Sequence, residues 1–450
     1  MERPEKTQFT ISLSQNFPAH LILWGISSLI IFSIIFFVFE VSIYRTTLCV
    51  GFICLGTLIM FISKVVYDDC FSPIGLMCFF WYWAVGLASL NISPVYQTKW
   101  SPQTWLVIVL SPVLFAAGSI FMLRYEINPT EWSFNNEEVI VRRIILLTWI
   151  VSASVFLLQI SNVAIKSDLS VFLTEPFRAR ELFWIHGLGY LYTLNFLNFL
   201  LCIGFILRYG LEPMIVGILL FSSFTLPFHL VKTLIIMFTF GSFILSNYLR
   251  DDRYNMKQLL LFSLLPLIIF ILYSLFTNAK TTEFIASGEV NFPSSLIIFL
   301  RPYLYIATNF ANFQAALHDP NIKHTYGLRT IHPLLKATYI SDFFNLDIRF
   351  REQRAVFGPG LNQNTYLGAL YYDFGWGGVI IGPVLYGALT SYIYKIARQS
   401  EQIAAYAAYS IIAFMTAFSF FFNYFIKFYS WFFLITLLLI YFSVSNGDLE

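Results

Sequence analysis

LILWGISSLIIFSIIFFVF, residues 21–39, carries no charged side chain, and its reading decides what kind of protein this is. Crossing about 30 Å of hydrocarbon takes roughly 20 apolar helical residues. This stretch supplies them with no small-residue cleavage site, so it reads as a retained first span rather than a signal peptide. Comparable apolar runs recur near 46–66, 71–90, 104–123, 144–164, 188–207, 213–230, 232–249, 258–277, 376–394, 403–425 and 428–445. With a span over 20–39 they predict an all-α polytopic integral membrane protein of about 12 transmembrane helices in one domain. Prolines 112, 227, 266 and 383 interrupt several runs, which membrane helices tolerate because neighbouring groups re-satisfy the freed carbonyl.

Composition agrees. The chain is 58% hydrophobic and 12% charged, against about 25% charged in soluble proteins. A net charge of +2 with no long run of like charge does not suggest a nucleic-acid partner. The cysteines (Cys49, Cys54, Cys70, Cys78, Cys202) lie in or beside apolar runs without CxxC spacing, so neither a disulfide framework nor a zinc site is indicated. No metal and no cofactor is predicted.

Twelve spans put both termini on one side, and the bias of Lys and Arg in short loops makes that side cytoplasmic. On that topology the inner side holds Arg3, Lys6, Lys64, Arg124, Arg142, Arg143, Arg208, Arg250, Arg253, Lys257, Lys395 and Arg398, while the short outer loops hold Arg45, Lys99, Lys232 and Lys427. The remaining cations fall in two long outer loops, at about 165–187 and 278–375. The first carries Lys166, Arg178 and Arg180; the second carries Lys280, Arg301, Lys323, Arg329, Lys336, Arg349, Arg351 and Arg354. Long translocated loops escape the charge rule, so solvated loop charges are one reading. A site for an anion is the other.

The densest polar window is RFREQRAVFGPGLNQNTYLGALYYDFGWGG, residues 349–378. It joins three arginines, an FGPG turn at Gly358 and Gly360, a polar run with Asn362 and Asn364, and a DFGWGG start to the next span. Arginine grips phosphate oxygens bidentately and stays charged at a membrane surface, although basic residues near headgroups also bind ordinary anionic lipid. Gly375, Gly377 and Gly378 would permit a tight turn into the helix. Asp373 would cap that helix or take part in catalysis. His186, beside Arg178 and Arg180, is either a proton acceptor or a hydrogen-bonded interfacial residue. Lys232 either faces a polar cavity or snorkels. LIIFLRPYLYIATNFANFQAAL, 296–317, places Arg301, Tyr305, Thr308, Asn309 and Asn312 on one face, which reads as an in-plane or re-entrant helix. Were it to span, the Arg349 window would change sides.

The span count, two arginine-bearing outer loops and the DFGWGGVIIGPVLYGAL run resemble the bacterial O-antigen polymerases of the Wzy type. That family carries an R-x10-G pattern in each loop, and here Arg178 precedes Gly189 and Arg349 precedes Gly360 at that spacing. A departure is HLVKT with Lys232 where similar proteins show a GSR-like arginine. The resemblance implies polymerisation of undecaprenyl-pyrophosphate-linked oligosaccharide repeat units at the periplasmic face of the inner membrane, by metal-independent glycosyl transfer. It implies Arg349, Arg351 and Arg354 at the leaving phosphate and Arg178 and Arg180 on a second lipid pyrophosphate. Arg301, Lys232, Asn362 and Asn364 would contact substrate. The base is open among His186, Glu175, Glu352 and Asp373. Membrane lipid, a chain-length regulator and a flippase are the expected partners. An O-antigen ligase, and a flippase or transporter of the same lipid-linked sugars, are the alternatives.

Overall fold

The computed structural model describes residues 42–93, 97–125, 136–185, 188–229, 231–250, 297–337, 340–343 and 363–446, with single positions between 254 and 271. Among the described residues every regular element is a helix. In chain order these are α1 (Ile43–Tyr67), α2 (Pro73–Ser89), α3 (Pro102–Arg124), α4 (Glu137–Lys166), α5 (Pro176–Phe183), α6 (Leu194–Tyr209) and α7 (Pro213–Thr225). They continue with α8 (Lys232–Leu249), α9 (Ile297–His318), α10 (Leu328–Ala337), α11 (Tyr366–Ser400), α12 (Ile403–Ala417) and α13 (Phe428–Asn446). Among the described residues, five helical stretches are long and apolar enough to cross a membrane: α1, α3, α4, Leu188–Tyr209 and α11. The expected spans at 20–39 and, save for single positions, 258–277 lie outside the described residues.

Polarity is inverted relative to a soluble bundle. On α4, Leu147 and Leu157 are 63% and 62% exposed, while Ser152 and Gln159 are buried. Ser111, Ser119, Asn195, Asn198 and Thr225 are also fully buried on other helices. In a hydrocarbon solvent, small and polar residues gain by facing one another while leucines face lipid. Several of the inward groups pair across helices: Thr148 donates to Asn198 at 2.5 Å, and Ser222 donates to Asn195 at 2.9 Å.

The long helices run antiparallel between two ends. Ser63 meets Ser72 at 2.5 Å across α1 and α2, Trp81 donates to the Ile108 carbonyl at 2.9 Å across α2 and α3, and α4 meets α6 through Glu137 and Arg208 at one limit and Thr148 and Asn198 higher up. One end, marked by Asp69, gathers the C-termini of α1, α6, α8 and α11. There Asp69 accepts from Tyr248 at 2.7 Å, Tyr394 at 2.9 Å and Arg398 at 3.3 Å. Buried Glu137 pairs with Arg208 at 3.3 Å and accepts from the Ile403 amide at 2.7 Å, which caps α12 from another helix. The opposite end, marked by Asp373, carries the connections between α2 and α3, between α7 and α8, and between α12 and α13.

Three expectations change at the Asp373 end. The region expected as a loop from 278 to 375, with a helix over 296–317, contains α10 and the first part of α11 besides that helix, α9. The span expected at 376–394 extends to Ser400 and is preceded by a separate helical limb, 366–374. The two limbs fold back on each other at Gly375, because the rings of Tyr366 and Tyr386 stand 5.7 Å apart. In a continuous helix those positions would lie about 30 Å apart. The third change is on α9, whose polar face is not solvated: Thr308, Asn309 and Asn312 are buried. Tyr303 donates to Gln97 at 2.6 Å and Gln314 donates to the Lys99 carbonyl at 2.6 Å, so both halves of α9 are tied to the α2–α3 connection. The helix crosses that end of the bundle instead of running its length.

The tightest helix pair is α3 with α11. A Cβ at Gly118 would strike the Val384 carbonyl oxygen, and one at Gly387 the Phe115 carbonyl oxygen. Gly118→Ala is expected to cost about 1–3 kcal/mol by overpacking, read from unfolding in detergent. Gly217→Ala, where a Cβ meets open space, should stay within about 0.5 kcal/mol of the parent.

Candidate functional site at the Asp373 end

Helix α10 begins at a glycine, and a glycine has no side chain with which to cap. Gly327, in the left-handed region at φ +87°, leaves the amides of Arg329 and Thr330 facing outward from the helix start. Those first-turn amides need an acceptor. Asp373 supplies it from α11. Its Oδ1 accepts from the Arg329 amide at 3.1 Å and from the Thr325 hydroxyl. Its Oδ2 accepts from the Thr330 amide at 3.2 Å and the Thr330 hydroxyl at 2.6 Å. The backbone adds two more bonds, Thr325 N to the Tyr372 carbonyl at 3.0 Å and Tyr326 N to the Asp373 carbonyl at 2.8 Å.

Asp373 is therefore a cap, but not the one its position predicts. It was expected to serve the helix it introduces, and it serves α10 instead, because Gly375 turns the chain and aims the carboxylate sideways. Gly375 has φ +60° and ψ −141°, a conformation disfavoured for side chains, and a Cβ there would lie 2.9 Å from His324 Nε2. The glycine thus makes a reversal rather than a smooth helix start. Arg329 lays its guanidinium 4.9 Å from the centre of the Tyr372 ring. Burial lowers its pKa, and Tyr372 and Asp373 act in the opposite direction. An open cavity of about 380 Å³ adjoins the reversal, lined by His318, Asp319, His324 and Tyr371 among others.

Below the reversal, the limb 366–374 starts inside the bundle at Thr365, which is fully buried. Asn312 donates to the Gln363 carbonyl at 2.8 Å, joining α9 to this start. The Asn309 amide nitrogen and the Thr365 hydroxyl are buried without a hydrogen-bond partner. Arg301, half-buried, lies on the same face of α9 as Asn309 and Asn312. Asn364 is buried and packs against Gly368. Of the expected substrate residues, Asn364 lies at this helix start, where donors accumulate, whereas Arg301 sits about 16 Å along α9 from Asn312.

The first basic loop is helical where described. Arg178 and Arg180 lie on α5, both exposed, and Arg178 pairs with Glu175 at 3.3 Å. Gly189 is close-packed: a Cβ would lie 2.6 Å from the Trp184 ring. Tyr190 meets Phe428 with ring centres 4.4 Å apart, and α10 packs on the short turn Tyr424–Ile426 just before it. The segment after α5 and helix α10 therefore border one short stretch, 424–428, at the Asp373 end. Lys232 is the first residue of α8. His186, Arg349, Arg351, Arg354, Gly358, Gly360 and Asn362 lie outside the described residues.

Sequence reasoning missed Thr325, Arg329 and Thr330 as the partners of Asp373. The one available signal was the pair YGLRT (326–330), a glycine followed two and three residues on by unsatisfied helix-start positions. The chain matches no family model, no curated protein and no solved structure.

Removing the carboxylate strands the Arg329 amide, at about 1–3 kcal/mol for a buried unsatisfied group, while the Thr330 amide keeps the Gly327 carbonyl at 3.0 Å. Asp373→Ala should therefore speed hydrogen exchange at Arg329 by about tenfold or more. Asp373→Asn, which keeps one acceptor oxygen, should fall between. Unchanged exchange in both variants would remove Asp373 from the cap.

Proposed function

We propose that the chain polymerises undecaprenyl-pyrophosphate-linked oligosaccharide repeat units, acting from a multi-pass position in the bacterial inner membrane with its termini in the cytoplasm. The observation that carries this reading is that Arg178 and Arg180 lie at the Asp373 end, where the described residues that flank the Arg349 window in sequence also lie. Arg178 and Arg180 lie on α5, whose following segment packs on Phe428. The window with Arg349, Arg351 and Arg354 lies in sequence between Phe343 and Gln363, and α10 and Gln363 both sit at this end. Lys64, Arg124, Arg142, Arg143, Arg208, Arg250, Lys395 and Arg398 fall at or near the Asp69 end, and the positive-inside rule then makes that end cytoplasmic and the Asp373 end periplasmic.

Polymerisation forms a bond between a hydroxyl oxygen of one repeat unit and the anomeric carbon of another. The bond from that carbon to the lipid pyrophosphate breaks, the pyrophosphate leaves with the electron pair, and a base takes the hydroxyl proton. Cations aimed at the departing phosphate lower the barrier because negative charge grows there. Arg349, Arg351 and Arg354 take that role, with Arg178 and Arg180 holding the second lipid pyrophosphate. Buried donors at Asn309 and Thr365 suit an anion or sugar hydroxyls. Asp373 is occupied by α10, which favours His186, Glu175 or Glu352 as the base.

The test is the lipopolysaccharide banding pattern of a parent strain, a deletion, and deletions carrying Arg349→Ala or Arg178→Ala at normal protein level. The deletion should keep lipid A core with one repeat unit and lose the ladder, and neither variant should restore it. Loss of the single-unit band as well would assign the chain to ligation or export instead.

A further inference from the structure

A second cavity of about 380 Å³ opens at the Asp373 end, away from the Asp373 cap, where the start of α1 meets the α2–α3 connection. Arg45 and Lys99 line it, and none of the described residues lining it is acidic. Arg45 is held in place by donating to the Asn91 carbonyl at 3.3 Å, which leaves the rest of its planar fork available. Gln97 is locked from behind, accepting from Tyr303 at 2.6 Å and donating to the Ala88 carbonyl at 2.9 Å. Asn91 sits in the left-handed region at φ +49°, and its side-chain oxygen is buried with no donor. Trp100 and Trp105 form one wall, ring centres 4.6 Å apart, with Phe52 stacked on Trp105 at 6.0 Å.

These features select a ligand by chemistry. Two cations without a lining carboxylate call for an anion, and a guanidinium beside an ammonium suits a phosphate. The orphan Asn91 oxygen calls for a donor such as a hydroxyl. The tryptophan wall and the exposed apolar side chains of Ile43 and Leu106 beside the cavity call for an apolar tail at interfacial depth. We propose that the cavity binds the headgroup of an anionic glycerophospholipid, its phosphate between Arg45 and Lys99 and a headgroup hydroxyl on Asn91. A phosphocholine headgroup fits poorly, since it brings a third cation and no hydroxyl.

The full chain, purified in detergent, is exposed to phosphatidylglycerol, phosphatidylcholine or inorganic phosphate. Retained lipid is counted by native mass spectrometry and the thermal midpoint is recorded for each. Phosphatidylglycerol should be retained about tenfold or more over phosphatidylcholine, whose choline cation faces Arg45 and Lys99 and which has no headgroup hydroxyl for Asn91, and should raise the midpoint. Arg45→Ala with Lys99→Ala should bring retention down to the phosphatidylcholine level. Lys99 is exposed, so Lys99→Glu changes the charge without touching the core and should lower phosphatidylglycerol retention several-fold with the lipid-free midpoint unchanged. Equal retention of the two lipids, or undiminished retention in Lys99→Glu, overturns the site. Equal stabilisation by inorganic phosphate overturns its assignment to a lipid.

Discussion

The Asp373 end depends on one carboxylate doing the work of a missing side chain. Gly327 gives α10 a start with no cap of its own, and Asp373 fills that place from a different helix through four hydrogen bonds. The same bonds hold the reversal at Gly375, so the limb 366–374 and α10 keep their places together. Glu137 repeats the device at the other end, where it accepts the first amide of α12 while paired with Arg208. Helix starts cannot be left unpaired where water is scarce. In this chain acids borrowed from neighbours resolve that constraint twice.

The two ends treat charge differently. At the Asp69 end each buried carboxylate has an arginine partner, Arg398 for Asp69 and Arg208 for Glu137, so acids and bases neutralise each other within the protein. At the Asp373 end the carboxylate is satisfied by amides and hydroxyls. Arg45, Lys99, Arg178 and Arg180 stand at or near the surface there, and only Arg178 of these forms an ion pair among the described residues, an exposed one with Glu175. An exposed pair of that kind contributes little. Uncommitted cations at one end of an apolar bundle are what a negatively charged amphiphile would meet on approach. Both the proposed polymerase site and the proposed lipid cavity draw on that asymmetry.

Much of the helical layout was legible from hydropathy, because a membrane span needs a fixed length of apolar side chain whatever its neighbours are. α8 occupies the expected 232–249, and α3 and α4 contain their expected cores. The errors cluster at 278–375 and 403–425, where helices are short, half-polar or broken. There hydropathy averages out, and a short half-polar helix such as α10 looks like a loop. Arg301, Asn309 and Asn312 were correctly placed on one helical face. That this face turns inward, onto Gln363 and the start of the limb at Thr365, depends on contacts with residues about 50 positions away.

By itself the sequence determined a helical chain with long apolar segments, the inventory of arginines and their grouping, and the special status of the glycine-rich stretch at 375–378. Local rules suffice for these, since span length, charge and backbone freedom belong to each segment alone. Tertiary structure alone decided that Gly375 reverses the chain, that Asp373 caps α10 rather than its own helix, and that Arg45, Asn91, Lys99 and the Trp100–Trp105 pair share one cavity. Each of these joins segments far apart in the chain. Which donor meets which acceptor is settled by packing, and no periodicity within one segment encodes it.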